Sequence, residues 1–173
     1  MTMRCSVVLG VMCEDRPGII EKLSTTITAH DGEWTDSKMV TMAGKFAGIL
    51  LVEIPCSEQQ AFSEAVKALD VEGIRVVIEQ IQPHTSPVFR EFRLEMVGQD
   101  RSGIVRDITH LLADYQINLE AWESRVESAS MSGETLFIAS AVVHVPEGVD
   151  LALLQDDFEE LANELMVDIK LSE

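Results

Sequence analysis

Near the start of the chain, Val7, Leu9 and Val11 fall on one side of an extended segment and Val8, Gly10 and Met12 on the other. Neither side is charged, so the pattern predicts a strand covered on both faces. A second such strand lies 85 positions later, where Phe92, Leu94 and Met96 alternate with Glu91, Arg93 and Glu95. That alternation predicts one buried face and one face in water. After each strand the period lengthens. Ile19, Ile20, Leu23 and Ile27 form a helical stripe, and Ile104, Val105, Ile108, Leu111 and Leu112 form its counterpart.

Two strand-like segments follow in each half, at about 34–42 with 46–54 and about 118–129 with 134–145. Ala43-Gly44-Lys45 and Ser132-Gly133 supply the turns between them. A second helix is marked by Ala61, Phe62, Ala65, Val66 and Leu69 in one half, and by Leu151, Leu154, Phe158, Leu161 and Leu165 in the other. A last strand closes each half, at 74–81 and 166–171. The order strand–helix–strand–strand–helix–strand thus occurs twice. It predicts an α+β chain of two tandem ferredoxin-like (βαββαβ) domains, each an antiparallel four-stranded sheet with two helices on one face. The expected domains are 1–82 and 88–173. Residues 83–87 form a linker, because Pro83 and Pro87 disfavour continued helix or sheet.

At the first strand–helix junction of each half the chain nearly repeats itself. Asp15-Arg16-Pro17-Gly18-Ile19-Ile20 and Asp100-Arg101-Ser102-Gly103-Ile104-Val105 stand 85 positions apart. A helix start offers unpaired backbone N–H groups and the positive end of its dipole, both suited to a carboxylate. Gly18 and Gly103 let a small ligand approach the backbone. Asp15 or Asp100 can accept from an ammonium group, or can cap the helix that follows. Arg16 and Arg101 can clamp a carboxylate or form salt bridges, and Pro17 suits a first helical turn. The duplicated pattern favours a ligand site over a coincidence of ordinary turn residues.

Composition narrows the classes. The 173 residues carry 30 acidic side chains against 13 basic ones, a net charge of −17. Such a chain is repelled by nucleic-acid phosphates, so direct DNA binding is not expected. No apolar run is long enough to span a bilayer. Cys5, Cys13 and Cys56 are odd in number and lack C-x-x-C spacing; they read as small buried side chains in a reducing compartment. The first residues run straight into a strand pattern instead of a secretory signal, and cytoplasm is the expected location. His30, His84, His110 and His144 lack metal-ligand spacing, so no metal or cofactor is expected. Neither a nucleophile–base pair nor a phosphate-binding fingerprint can be assembled, so an enzyme is not expected. The acidic run at 155–160 reads as a solvated helix face, and Trp34 and Trp122 as packing residues.

The unit order, with Asp-Arg-x-Gly-Ile at its first junction, resembles the ACT domain, a regulatory module that commonly binds amino acids. Two such units in one chain, from about Arg4 to Leu171, look like the glycine cleavage system transcriptional repressor family. The resemblance implies a protein that senses a small amino acid, glycine above all. It implies repression through contact with a DNA-binding activator, a LysR-type protein, without touching DNA itself. It also implies that an Asn at the start of the second strand lies within reach of the loop. Repeat two has Asn118 there, whereas repeat one reads Asp31-Gly32-Glu33-Trp34. An alternative from the same resemblance is a regulatory subunit acting in trans on an amino-acid or folate enzyme. The apolar outer face of the first strand makes a homo-oligomer possible.

Overall fold

A computed structural model of the chain describes residues 3–81, 88–128 and 133–173. The expected linker at 83–87 and Ser132 of the second turn lie outside the described residues. Contacts cluster into two compact units, Met1–His84 and Thr85–Glu173. Unit one runs β1 (Arg4–Glu14), α1 (Ile19–Thr28), β2 (Glu33–Met42), β3 (Lys45–Pro55), α2 (Gln59–Ala68) and β4 (Arg75–Gln80). A 3-10 turn precedes α2 (Cys56–Glu58) and another follows it (Leu69–Glu72). Unit two runs β5 (Phe89–Gln99), α3 (Ile104–Asp114), β6 (Asn118–Ser128), β7 (Thr135–Pro146), α4 (Leu151–Leu165) and β8 (Val167–Ser172). The sheet orders are β2-β3-β1-β4 and β6-β7-β5-β8, with every pairing antiparallel.

The predicted stripes build one core per unit, except that Ile20 and Val105 stand outside it, 53% and 41% exposed. In unit one Val7, Leu9 and Val11 of β1 meet Leu23 and Ile27 of α1 and Phe62 and Val66 of α2. In unit two Phe92, Leu94 and Met96 meet Ile104, Ile108 and Leu112 of α3 and Leu154 and Phe158 of α4. The two cores share no residue. Trp34 and Trp122 pack, half-buried, against their respective cores, as the sequence suggested. The β2–β3 turn places Ala43 at φ 50° and Gly44 at φ 76°, the paired left-handed residues of a tight hairpin. Gly98 is required by close approach: a Cβ there would sit 2.7 Å from the Val167 Cα on the neighbouring strand.

Two expectations need correcting. Cys5 and Cys56 are not separate thiols: they are bonded to each other, with Cα atoms 5.1 Å apart. Only Cys13 is free, and it is buried. The acidic run on α4 is not solvated throughout either. The Tyr115 hydroxyl, at the end of α3, donates to the Asp157 carboxylate at 2.5 Å. That bond, then desolvation, then the charges of Asp157, Asp150 and Asp156 push the phenol up from 10.0 to about 12. The neutral phenol is the form that the native state favours. Its contribution is therefore full below the ordinary pKa and is lost as pH rises through about 12. Tyr115 is the chain's only tyrosine. An ultraviolet titration of tyrosinate should show a single midpoint well above 10.0, and Asp157→Asn should return it toward that value.

Candidate functional site

The two junctions adopt the same backbone. The Asp15 N–H donates to the Gly44 carbonyl at 2.9 Å and the Asp100 N–H to the Thr135 carbonyl at 2.8 Å. Each Asp therefore extends the ladder between the first and third strands, and the chain turns away beside a hairpin tip. The turn ends at Gly18 (φ 90°, ψ −1°) and Gly103 (φ 91°, ψ −2°), which stand at the N-caps of α1 and α3. An L side chain in that left-handed conformation is strained. Among the described residues neither helix start receives a side-chain cap.

The capping expected of Asp15 and Asp100 is thus corrected: their amides serve the hairpin, and a glycine carbonyl begins each helix. Lys22 N–H donates to the Gly18 carbonyl at 2.9 Å and Asp107 N–H to that of Gly103 at 3.0 Å. An acidic cap does occur in the fold, but at α4, where Asp150 accepts from the amides of Ala152 and Leu153 at 3.0 and 3.3 Å. Pro17 lies in the turn before α1, not in its first turn. Among the described residues no protein acceptor meets the amides of Ile19, Ile20 and Glu21, or those of Ile104, Val105 and Arg106. The donors that a carboxylate needs are therefore present twice.

Asp15, Arg16, Pro17, Gly18, Asp100, Arg101 and Ser102 are exposed and Gly103 is half-buried. Ile19 and Ile104 are core residues, so only their backbone can face a ligand. The two arginines do the same structural work. Arg16 donates to the Glu72 carbonyl, and the Arg101 Nη1 donates to the Glu164 carbonyl at 3.0 Å. Each guanidinium thereby ties the junction to the segment that ends the second helical region, where carbonyls lack helical partners and the dipole is negative.

Charged groups that the sequence reading missed stand beside the loops. Lys22 Nζ lies 2.8 Å from a Glu72 carboxylate oxygen. With Arg16, Pro17, Gly18, Ile19, Val71, Glu72 and Ile74, Lys22 lines an open cleft of about 530 Å³ next to the first loop. In unit two Arg106 pairs with Asp107 at 2.7 Å, and its guanidinium lies 3.1 Å from where a Gly103 Cβ would be. The readable signal was position: Lys22 and Arg106 fall one turn after their glycines, on the same helix face.

Asn118 is not brought to the second loop. It pairs with His144, which pairs with Glu91 near the beginning of β5. The loop follows Gln99, eight positions along the same strand and about 26 Å away at ~3.3 Å per residue. This register corrects the expectation that Asn118 lies within reach of its own loop.

The remaining candidates carry no chemistry here. Burial pushes the Cys13 thiol up, against the lowering effect of Arg16, so a reactive thiolate is disfavoured. His30 meets Glu58 at 3.5 Å, and His144 meets Glu91 at 3.5 Å and stacks on Phe89. Among the described residues no cluster of three or more His, Cys, Asp or Glu is placed to hold a metal. No described helix is long and apolar enough to cross a membrane.

Residues 6–74 match the family model of the ACT domain. The second unit repeats the same strand and helix order, so the fold is that of two ACT-like units in tandem, the first of which matches the family model. It is similar to an unknown protein from Galdieria sulphuraria over 99% of both chains, at 27% identity and a TM-score of 0.89. It is also similar to a "putative glycine cleavage system transcriptional repressor", over 98% of this chain and 97% of that one, at 19% identity and a TM-score of 0.74. That likeness is one of fold. A formyltetrahydrofolate deformylase from Pseudomonas putida KT2440 matches over 49% of this chain and 29% of that chain, at 17% identity and a TM-score of 0.42. No curated protein matches the chain.

Proposed function

We propose that the chain is a non-enzymatic regulator that senses a small amino acid, glycine first. It restrains transcription of a glycine cleavage operon by contact with a LysR-type activator. The observation that carries the sensing half is the duplicated junction, with a left-handed glycine and three unclaimed amides at the head of each helix. The ligand carboxylate meets those amides, and Asp15 or Asp100, whose carboxylates have no hydrogen-bond or ion-pair partner among the described residues, accepts from its ammonium group. Asn118 is left out of this site, because it lies at the other end of its sheet. Glycine as ligand and the LysR-type partner rest on the family resemblance. The net charge of −17 agrees with a protein that acts on DNA only through another. This reading places the protein in the cytoplasm.

Calorimetry of the full chain with glycine and serine tests the sensing half. Gly18→Asp and Gly103→Asp put a carboxylate beside the amides, and each should weaken binding at its own loop by about tenfold or more. Asp tolerates left-handed backbone better than most residues, so circular dichroism should change little. No heat and no thermal shift with either amino acid would remove this half. For the output half, a pull-down should retain the LysR-type activator. Retention of a metabolic enzyme in its place would transfer the role to a trans-acting enzyme subunit.

A further inference from the structure

The sheet face of unit one that points away from its helices is more apolar than the same face of unit two. Met12, Val40, Met42, Ile49 and Val77 lie there, each more than half exposed. Strand register arranges them in rows. Glu79, Val8, Leu51 and Asp36 lie across one row, Val77, Gly10, Ile49 and Lys38 across the next, and Arg75, Met12, Ala47 and Val40 across the third. In unit two the places matching Val77, Ile49, Val40 and Met42 hold Lys170, Ser140, Arg125 and Glu127, while the place matching Met12 stays apolar as Val97. Five large apolar groups on one face form a patch that a monomer does not ordinarily leave in water.

We infer that this face is covered by the same face of unit one in a second copy of the chain, around a two-fold axis running across the strands at Val77. The charges at its edge select that occupant and that axis. Arg75 and Glu79 flank Val77 on β4, and neither has an ion-pair partner among the described residues. Their Cα atoms are about 13 Å apart along the strand, too far to pair with each other. A two-fold axis across the strands sets Arg75 of one copy over Glu79 of the other, and the reverse, while Val77 meets Val77. An axis along the strands would instead set Glu79 over Asp36, a like-charge contact that opposes association. This axis also places Lys38 over its own copy and Asp36 over Val40, all on β2 at the edge of the sheet farthest from Arg75 and Glu79. Among the described residues of that face in unit two only Phe89 and Val97 are exposed large apolar groups, and they stand at opposite ends of β5.

Sedimentation equilibrium of the full chain tests the arrangement, with circular dichroism to verify folding. All the substituted side chains are exposed, so each variant should fold. The parent chain should be dimeric, and Ile49→Glu should make it monomeric. Arg75→Glu or Glu79→Arg alone should weaken the dimer by about tenfold or more, because each turns two attractive contacts repulsive. The double variant R75E/E79R restores both pairs and should recover most of the lost affinity. A monomeric parent chain overturns the proposal. So does a dimer that survives Ile49→Glu, which would mean pairing along the β4 edge or elsewhere. Failure of the double variant to recover would refute the axis.

Discussion

Phe62→Ala is expected to lower the stability of unit one by about 3–5 kcal/mol, the usual cost of deleting a fully buried aromatic side chain. Phe62 is 0% exposed on α2 and lies in the core beneath β1 and β3. Its ring also meets that of His30 edge-on, with centroids 5.8 Å apart at 70°, and His30 in turn meets Glu58. The substitution therefore removes core volume and the support of a ring in the α1–β2 connection. Because the two cores share no residue, denaturant unfolding followed by circular dichroism should resolve into two steps in the variant. The step belonging to unit two should keep the midpoint it has in the parent chain. A single step shifted as a whole would show that the units unfold as one body.

The fold was legible because each element advertises its period. Val7, Leu9 and Val11 repeat every second residue and Ile19, Leu23 and Ile27 at helical spacing, and both sets are found in one core. What defeated the local reading was competition for backbone groups by partners distant in sequence. Asp15 looks like a helix cap to anyone reading forward from it, yet its amide belongs to Gly44 on the hairpin. Arg16 and Arg101 look like free clamps, yet each is held by a carbonyl 56 and 63 positions away. Neither partner can be named before the tertiary fold is known.

Asn118 is a different kind of miss, because topology alone contained the answer. The chain leaves β5 at one end of the sheet, and the 11 residues of α3 carry it about 16 Å back. The next strand must then begin at the opposite end, far from the junction that α3 starts from. A group at that position cannot serve a site at the junction that precedes its own helix. A residue can thus follow a motif closely in sequence and still stand at the far end of the sheet from it.

Opening the Cys5–Cys56 bridge should cost unit one about 2–4 kcal/mol, most of it by restoring freedom to the unfolded chain. The two cysteines are 51 positions apart, and the loop they close contains nearly all of β1 and the whole of α1, β2 and β3. In the folded unit the link is reinforced where it stands, since the Cys56 N–H donates to the Met3 carbonyl at 2.9 Å. Unit two contains no cysteine and serves as the internal control. Treatment with a reductant, or the pair Cys5→Ala and Cys56→Ala, should move the first unfolding step and leave the second in place. Cys13 should not exchange into the bridge, because burial holds its thiol protonated and inaccessible. Thiol titration of the folded chain under oxidising conditions should accordingly find no reactive group. Two reactive thiols in that experiment, or an unmoved first step on reduction, would refute the link. Disulfides persist in oxidising compartments and are opened in reducing ones. A cytoplasmic setting would therefore hold unit one in its less stable, reduced form and make its stability a function of the surrounding redox state.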